Sequence, residues 1–207
     1  MVAFKYKKVK KGLAHAKEGQ FTILAIDIVS FTALGNNKSF KHAVHELESA
    51  IDFVLDPVTW DEDMGENDAV LSPTGDGYFV GFQEDRVSDK DVLQYAGEIS
   101  NRLKDRSFPV RMGINKGYCF VYRDLNDKLN LCGWGIIEAE RVMSCGGKNH
   151  ILCTEPFVKS YIDRQPTAKS LFEDIGPYLA KGGRKLSVFN YYKNGEYGNS
   201  LKPKRKK

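Results

Sequence analysis

Apolar residues crowd into FTILAIDIV at 21 to 29, a run that reads as a strand with Asp27 near its end, before the polar Ser30 and the Phe31-Thr32 pair. After the polar stretch GNNKS, Phe40, Val44, Leu47, Ile51 and Leu55 recur at three- and four-residue spacing, which predicts an amphipathic helix ended by Pro57 and the acidic loop DEDMGEND. AVLSPTGDGYFVGF then predicts two strands joined by a turn at Gly75, Asp76 and Gly77. Val92, Leu93, Ala96, Ile99 and Leu103 predict a second helix over residues 89 to 106, and VRMGINKGYCFVYR after Pro109 another strand. A helix over about Trp134 to Ser144, a strand at HILCT and a terminal strand at KLSVFNYY complete the pattern.

Strand, helix, hairpin, helix, strand is the order of an α+β, ferredoxin-like arrangement, in which helices cover one face of an antiparallel sheet. Neighbouring strands in that arrangement bring Asp27 and Asp76 together. Two carboxylates suit hard divalent cations held against a triphosphate. An aspartate closing a strand also serves as an ordinary turn cap, so either position alone is unspecific.

Composition narrows the setting. With 207 residues, 42% of them apolar, and no low-complexity tract, the chain fits one globular domain with an ample core. No apolar run reaches the roughly 18 residues of a membrane span, and no apolar signal core follows the lysine-rich start, so a cytoplasmic protein is expected. Cys119, Cys132, Cys145 and Cys153 have neither CxxC nor metal-finger spacing and are expected to be reduced, buried small hydrophobes. His42 and His45 lie three apart beside Glu46, without a third His or Cys nearby. The formal charge of +4 hides ten positive charges in residues 5 to 11 and 202 to 207, which leaves the intervening chain net acidic. KPKRKK also has the composition of a nuclear localisation signal, but solvated ends account for it equally. No basic and aromatic face of a nucleic-acid-binding module is visible in the body.

DIVSFT, followed 49 residues later by the Asp of GDG and then by GWGIIEAER, resembles the class III nucleotidyl cyclases in order and spacing, from about Phe21 to Tyr192. The resemblance implies a catalytic domain over 21–193 between basic segments 1–20 and 194–207. It also implies that Asp27, Asp76 and the carbonyl of Ile28 hold two divalent cations, Mn²⁺ or Mg²⁺, and that the ribose 3′-hydroxyl attacks the α-phosphorus and expels pyrophosphate. Arg141 matches the arginine that steadies the pentavalent phosphorus, and Lys181 the lysine on the terminal phosphates, with Arg184 and Lys185 as substitutes. Amides around Phe31 and Thr32, at a helix N-terminus, suit phosphate oxygens. Because both residue sets lie in one chain, a head-to-tail homodimer with shared active sites is implied.

The positions that read the base in the family are Ser72 and Asn130 here, neither the Lys and Asp (or Thr) of adenylyl cyclases nor the Glu and Cys of guanylyl cyclases. Ile137 stands where the family usually has an asparagine. Trp134 and Tyr78 are candidates to stack on a base, and packing inside the fold is the plainer role for each. Intact aspartates and arginine with altered base readers resemble the bacterial pyrimidine cyclases of the Pycsar antiphage system. That resemblance implies a uridylate or cytidylate cyclase, UTP ahead of CTP, whose cyclic nucleotide activates a separate effector. A purine cyclase with an atypical base pocket and a silent nucleotide-binding regulatory domain are the alternatives.

Overall fold

The computed structural model describes residues 17–59, 68–126, 128–179, 183–201 and 203. Strand β1 (Lys17–Ile28) runs through the middle of a mostly antiparallel sheet with β2 (Ala69–Pro73), β3 (Gly77–Gln83), β4 (Val110–Arg123), β5 (Leu129–Cys132), β6 (Ile151–Thr154), β7 (Phe172–Leu179), β8 (Lys185–Lys193) and β9 (Tyr197–Gly198). The order is β2-β3-β1-β4-β6-β8-β7, with β5 on β4 and β9 on β8. Among the described strands only β4 and β6 pair in parallel.

Every residue from Phe21 to Ile28 is buried, and the alternation along β1 explains why. Leu24, Ile26 and Ile28 pack with the buried faces of α1 (Asn37–Thr59) and α2 (Asp89–Asp105). Phe21, Ile23 and Ala25 pack with Ala139 and Met143 of α3 (Trp134–Ser144) on the other side. Side chains of a strand alternate between faces, so helices cover both faces of this sheet and not one as expected from element order. An unbroken apolar run is what a strand buried on both sides requires. Gly113 of β4 makes the second layer possible, since a Cβ there would lie 2.2 Å from the Ala139 carbonyl oxygen. On the α1 face Leu47, Ile51 and Leu55 are fully buried, each worth about 1.5–3 kcal/mol.

Helix α1 continues through Pro57 to Thr59. A proline near a helix end forfeits its own N–H bond but does not stop the turn already formed. Helix α2 starts where Ser88 Oγ accepts the Asp91 N–H, with Asp89 and Asp91 in its first turn and Arg102 and Lys104 in its last, a cap worth about 1 kcal/mol with favourable end charges. β5, the helix α4 (Glu155–Arg164), the 3₁₀ turn Pro166–Leu171, β7 and β9 had no counterpart in the sequence pattern. Thr154-Glu155-Pro156 was a legible start for α4, with proline in its first turn. The alternation of β7 is broken by a register shift between Asp174 and Pro177, which hides its period. No described helix is long and apolar enough to cross a membrane.

Candidate active site

Register brings the two aspartates together. Asp27 ends β1 opposite Gly77 of β3, and the Ile28 N–H donates to the Asp76 carbonyl at 3.1 Å. Gly77 permits this approach, because a Cβ there would stand 2.0 Å from the Ile26 carbonyl oxygen. Asp27 is 8% exposed, and burial pushes its carboxyl above the usual range. Arg111 opposes that shift, and the neighbouring Asp76 adds to it. Arg111 faces Asp27 across the β1–β4 ladder. Its Nε and Nη2 both reach Oδ2, at 2.7 and 2.5 Å. Arg111 answers Asp27, with Asp76 as that carboxylate's neighbour, at a half-buried site built of oxygen donors. That donor set fits a hard divalent cation. Asp27, Asp76 and the backbone at Ile28 are the groups that could hold it. Arg111 had escaped the sequence reading; its only signal was a lone charge inside the apolar strand VRMGI.

Past Asp27 the backbone turns sharply at Ser30, whose φ of 64° lies in the left-handed region. Phe31–Leu34 is a four-residue 3₁₀ turn, shorter than the expected helix, so a helix dipole contributes little here. Phe31 stacks on Phe40 with ring centroids 4.9 Å apart, and Thr32 is exposed.

A second cluster forms on α3. Arg141 Nη1 and Arg184 Nη1 each lie 3.0 Å from Glu138 Oε1, so one carboxylate gathers two guanidiniums. Glu138 and Arg184 line a hollow of about 580 Å³ with Lys185, Trp134 and Tyr118. Trp134 is 64% exposed, against the expectation that it packs inside the fold. The first turn of α3 leaves its ring outside the layer filled by Ala139 and Met143. Ile137 is also exposed. Lys181 lies outside the described residues, as do the basic positions 5 to 11, 202 and 204 to 207.

The third cluster joins Ser72 of β2 to Asn130 of β5. Ser72 Oγ donates to Asn130 Oδ1 at 2.6 Å, and the Leu131 N–H donates to the same oxygen at 2.8 Å. Tyr78, the other stacking candidate, donates its hydroxyl to Glu48 at 2.9 Å. Burial first, and Glu48 second, push that hydroxyl up to about 12, so it remains a neutral donor. Among the described residues no hydrogen bond or ion pair links the three clusters to one another.

Other sequence candidates resolve as packing. His42 lies 3.7 Å from Glu46 and edge-on to Phe108, and no group of three or more metal-ligating His, Cys, Asp or Glu occurs among the described residues. None of the four cysteines is in a disulfide; Cys119 and Cys153 are buried as expected, but Cys132 is exposed on the short strand β5 and Cys145 half-buried.

No protein-family model matches the chain, and no curated protein matches it. Solved structures do. The guanylate cyclase domain of RhGC from Catenaria anguillulae in complex with GTP aligns at TM-score 0.66 and 20% identity, over 85% of this chain and 98% of that one. The adenylyl cyclase CyaB from P. aeruginosa aligns at 0.66 and 18%, over 87% and 97%. A dimeric guanylyl cyclase domain of the RhoGC fusion protein from Blastocladiella emersonii aligns at 0.64 and 21%, over 84% and 97%. At these identities the likeness is one of fold, and the fold of this chain is that of class III nucleotidyl cyclase catalytic domains.

Proposed function

We propose that this chain is a nucleotidyl cyclase that converts a nucleoside triphosphate to its 3′,5′-cyclic nucleotide and pyrophosphate. The observation that carries the reading is the carboxylate pair Asp27 and Asp76, brought together by register, half-buried and only partly neutralised by Arg111. Asp27, Asp76 and the Ile28 carbonyl are the proposed ligands of two divalent cations, Mn²⁺ or Mg²⁺; such ions, when bound, would acidify the ribose 3′-hydroxyl and offset triphosphate charge. The protein's own contribution is position and charge. Arg111 holds Oδ2 of Asp27, so the carboxylate presents its other oxygen. Arg141 offers a planar fork of donors to the charge that builds on the α-phosphoryl oxygens as the 3′-oxygen attacks and pyrophosphate departs. Arg184, on the same carboxylate as Arg141, joins Lys181 as a candidate for the terminal phosphates, and the amides of Phe31 and Thr32 face that task from the 3₁₀ turn.

In this reading the active sites are shared in a head-to-tail homodimer. That no bond joins the aspartate cluster to the Arg141 cluster among the described residues supports it, as do the exposed Trp134 and Ile137 beside Arg141. Residues 21–193 would form the catalytic domain, flanked by the basic segments.

For the substrate we favour a pyrimidine nucleotide, UTP ahead of CTP, because Ser72 and Asn130 carry neither purine-reading set. The product would be a second messenger that activates a separate effector in antiphage defence, a role that rests on the resemblance of the motifs alone. The second reading is a purine cyclase with an altered base pocket, favoured by solved neighbours that are adenylyl and guanylyl cyclases. Incubating the purified chain with Mn²⁺ and ATP, GTP, CTP or UTP, followed by mass spectrometry, tests both. Cyclic UMP or cyclic CMP supports the first reading, cyclic AMP or cyclic GMP the second. No product from any nucleotide overturns the cyclase proposal.

A further inference from the structure

Helix α3 is seated on the sheet at two points. At its start Asn115, buried on β4, donates to the Gly135 carbonyl at 3.0 Å and accepts the Thr154 hydroxyl at 2.7 Å. Further along, Ala139 and Met143 close on Gly113 and leave no room there for a side chain. With the helix fixed, the direction in which Glu138 leaves it is fixed too. Glu138 and Arg141 stand three positions apart on one helix face. The carboxylate reaches Arg141 Nη1 at 3.0 Å with the same oxygen that meets Arg184 Nη1 at 3.0 Å. The acid is the deepest of the three, its side chain 13% exposed against 57% for Arg184. Arg184 comes from the segment before β8 and walls the hollow of about 580 Å³ together with Glu138. Among the described residues neither arginine meets another carboxylate. A surface pair three apart on a helix would be worth little and would need no such burial; here one oxygen holds two guanidiniums from different elements.

We infer that Glu138 is a positioning residue for the proposed reaction, a clamp that joins Arg141 and Arg184 into one unit so that both forks are aimed before the triphosphate arrives. The inference rests on the cyclase reading for the reaction itself, whereas the clamp stands on the distances alone. An untethered arginine samples many rotamers, and each fork would have to be ordered during the reaction. Two guanidiniums against one carboxylate leave a positive balance, so an anionic substrate is still attracted. The carboxylate acts through the arginines and touches no reacting atom. Its removal costs orientation, which is felt where charge builds in the transition state. It also takes away a negative charge facing the triphosphate, which favours binding. The expected signature is a loss in kcat of about a hundredfold with KM unchanged or lower. Glutamine sets an amide oxygen in the same place, so Glu138→Gln should hold kcat within about threefold of wild type.

The test compares wild type with Glu138→Ala, Glu138→Met and Glu138→Gln, each confirmed as folded by circular dichroism, in steady-state assays with Mn²⁺ and the nucleotide that wild type cyclises. Glu138→Met supplies the comparison if Glu138→Ala does not fold. A kcat within about threefold of wild type in the alanine or methionine variant overturns the inference. So does a KM that rises as far as kcat falls, which a merely structural tie predicts. A glutamine variant as slow as the alanine variant overturns it too. In an Arg141→Ala background, Glu138→Ala should lower kcat by no more than about twofold; a full second loss means that Glu138 does not act through Arg141 and overturns the inference. Limited trypsin digestion reads the clamp without turnover. Cleavage after Arg184, followed by mass spectrometry, should be about tenfold faster in Glu138→Ala than in wild type. If wild type cyclises no nucleotide, the cyclase proposal falls and cleavage decides the clamp by itself: faster cutting in the variant sustains it, and an equal rate overturns it.

Discussion

The β1–β4 ladder carries one charged cluster at its middle and another near its end, and the two are built to opposite rules. Midway along it Thr22 pairs with Lys116, and near the end Asp27 pairs with Arg111; five residues apart, Thr22 and Asp27 face opposite sides of the sheet. The first cluster is closed. Asp89, 3% exposed at the start of α2, accepts from Lys116 Nζ at 3.2 Å on both oxygens, from Ser160 Oγ at 2.8 Å and from Thr22 Oγ1 at 3.2 Å. Lys116 also reaches Glu84 at 2.8 Å. Every lone pair has a donor, and the cluster ties β1, β4, α2 and α4 together. The second cluster is open. Asp27 has Arg111 on one oxygen and the like-charged Asp76 beside it, and burial holds its carboxyl above the usual pKa. A satisfied buried network specifies a structure, whereas an unsatisfied pair of acids is strain that persists where something is to be bound.

The largest effect that would break this comparison is on activity. Asp76→Ala or Asp27→Asn should lower product formation by at least about a thousandfold with every nucleotide, without loss of melting temperature, because each change removes one of two repelling charges. An active Asp76→Ala protein would put the chemistry elsewhere. Asp89→Ala should do the reverse. It leaves Lys116 in the interior with only Glu84 and Ser160 as partners and should cost about 1–3 kcal/mol in urea unfolding, while turnover per folded molecule stays within a few-fold of wild type.

A smaller effect sharpens the open end. Arg111→Met removes the one counter-charge on Asp27 and should destabilise the metal-free protein by about 1–3 kcal/mol near neutral pH. Asp27 has its folded pKa raised above 3.8, so its ionised form penalises the fold above that pKa, and the penalty is relieved as pH falls through it. The deficit of Arg111→Met should therefore shrink as pH falls through the raised pKa of Asp27, and Mn²⁺ should raise its melting temperature more than that of wild type. Differential scanning fluorimetry across pH and Mn²⁺ checks both signs.

The smallest effect reads the ladder itself. Cys119 pairs with Gly19 beyond Lys116, and burial pushes its thiol up to about 11, so it should resist alkylation while the exposed Cys132 reacts. Peptide mapping after iodoacetamide should find Cys119 modified faster in Asp89→Ala and no faster in Asp76→Ala.

The same ladder shows where sequence reading stopped. Asp27 and Asp76 were legible because each sits at the end of an apolar strand beside turn residues, and a hairpin next to β1 has few ways to place them apart. Arg111 was not, because its partner lies 84 positions away and only strand register reveals it. The same holds for the Ser72–Asn130 bond across 58 positions. Nothing local marks Glu138 on α3, because its second partner Arg184 comes from the segment before β8. The strand β7, interrupted by a bulge, and the four-residue β5 carry too few alternations for a period to be read.

What the sequence determined by itself was local and periodic: the longer strands and the helices α1, α2 and α3, the turn that carries Asp76, the motif order that resembles the nucleotidyl cyclases. These follow from side chains a few residues apart, whose spacing sets one face against another. The tertiary structure alone decided that helices cover both faces of the sheet, that Arg111 answers Asp27, that Glu138 gathers two arginines, and that Ser72 bonds Asn130. Each of those depends on groups brought together by strand register and layer packing, and in a period-two structure a slip of one residue would send every such partner to the other side.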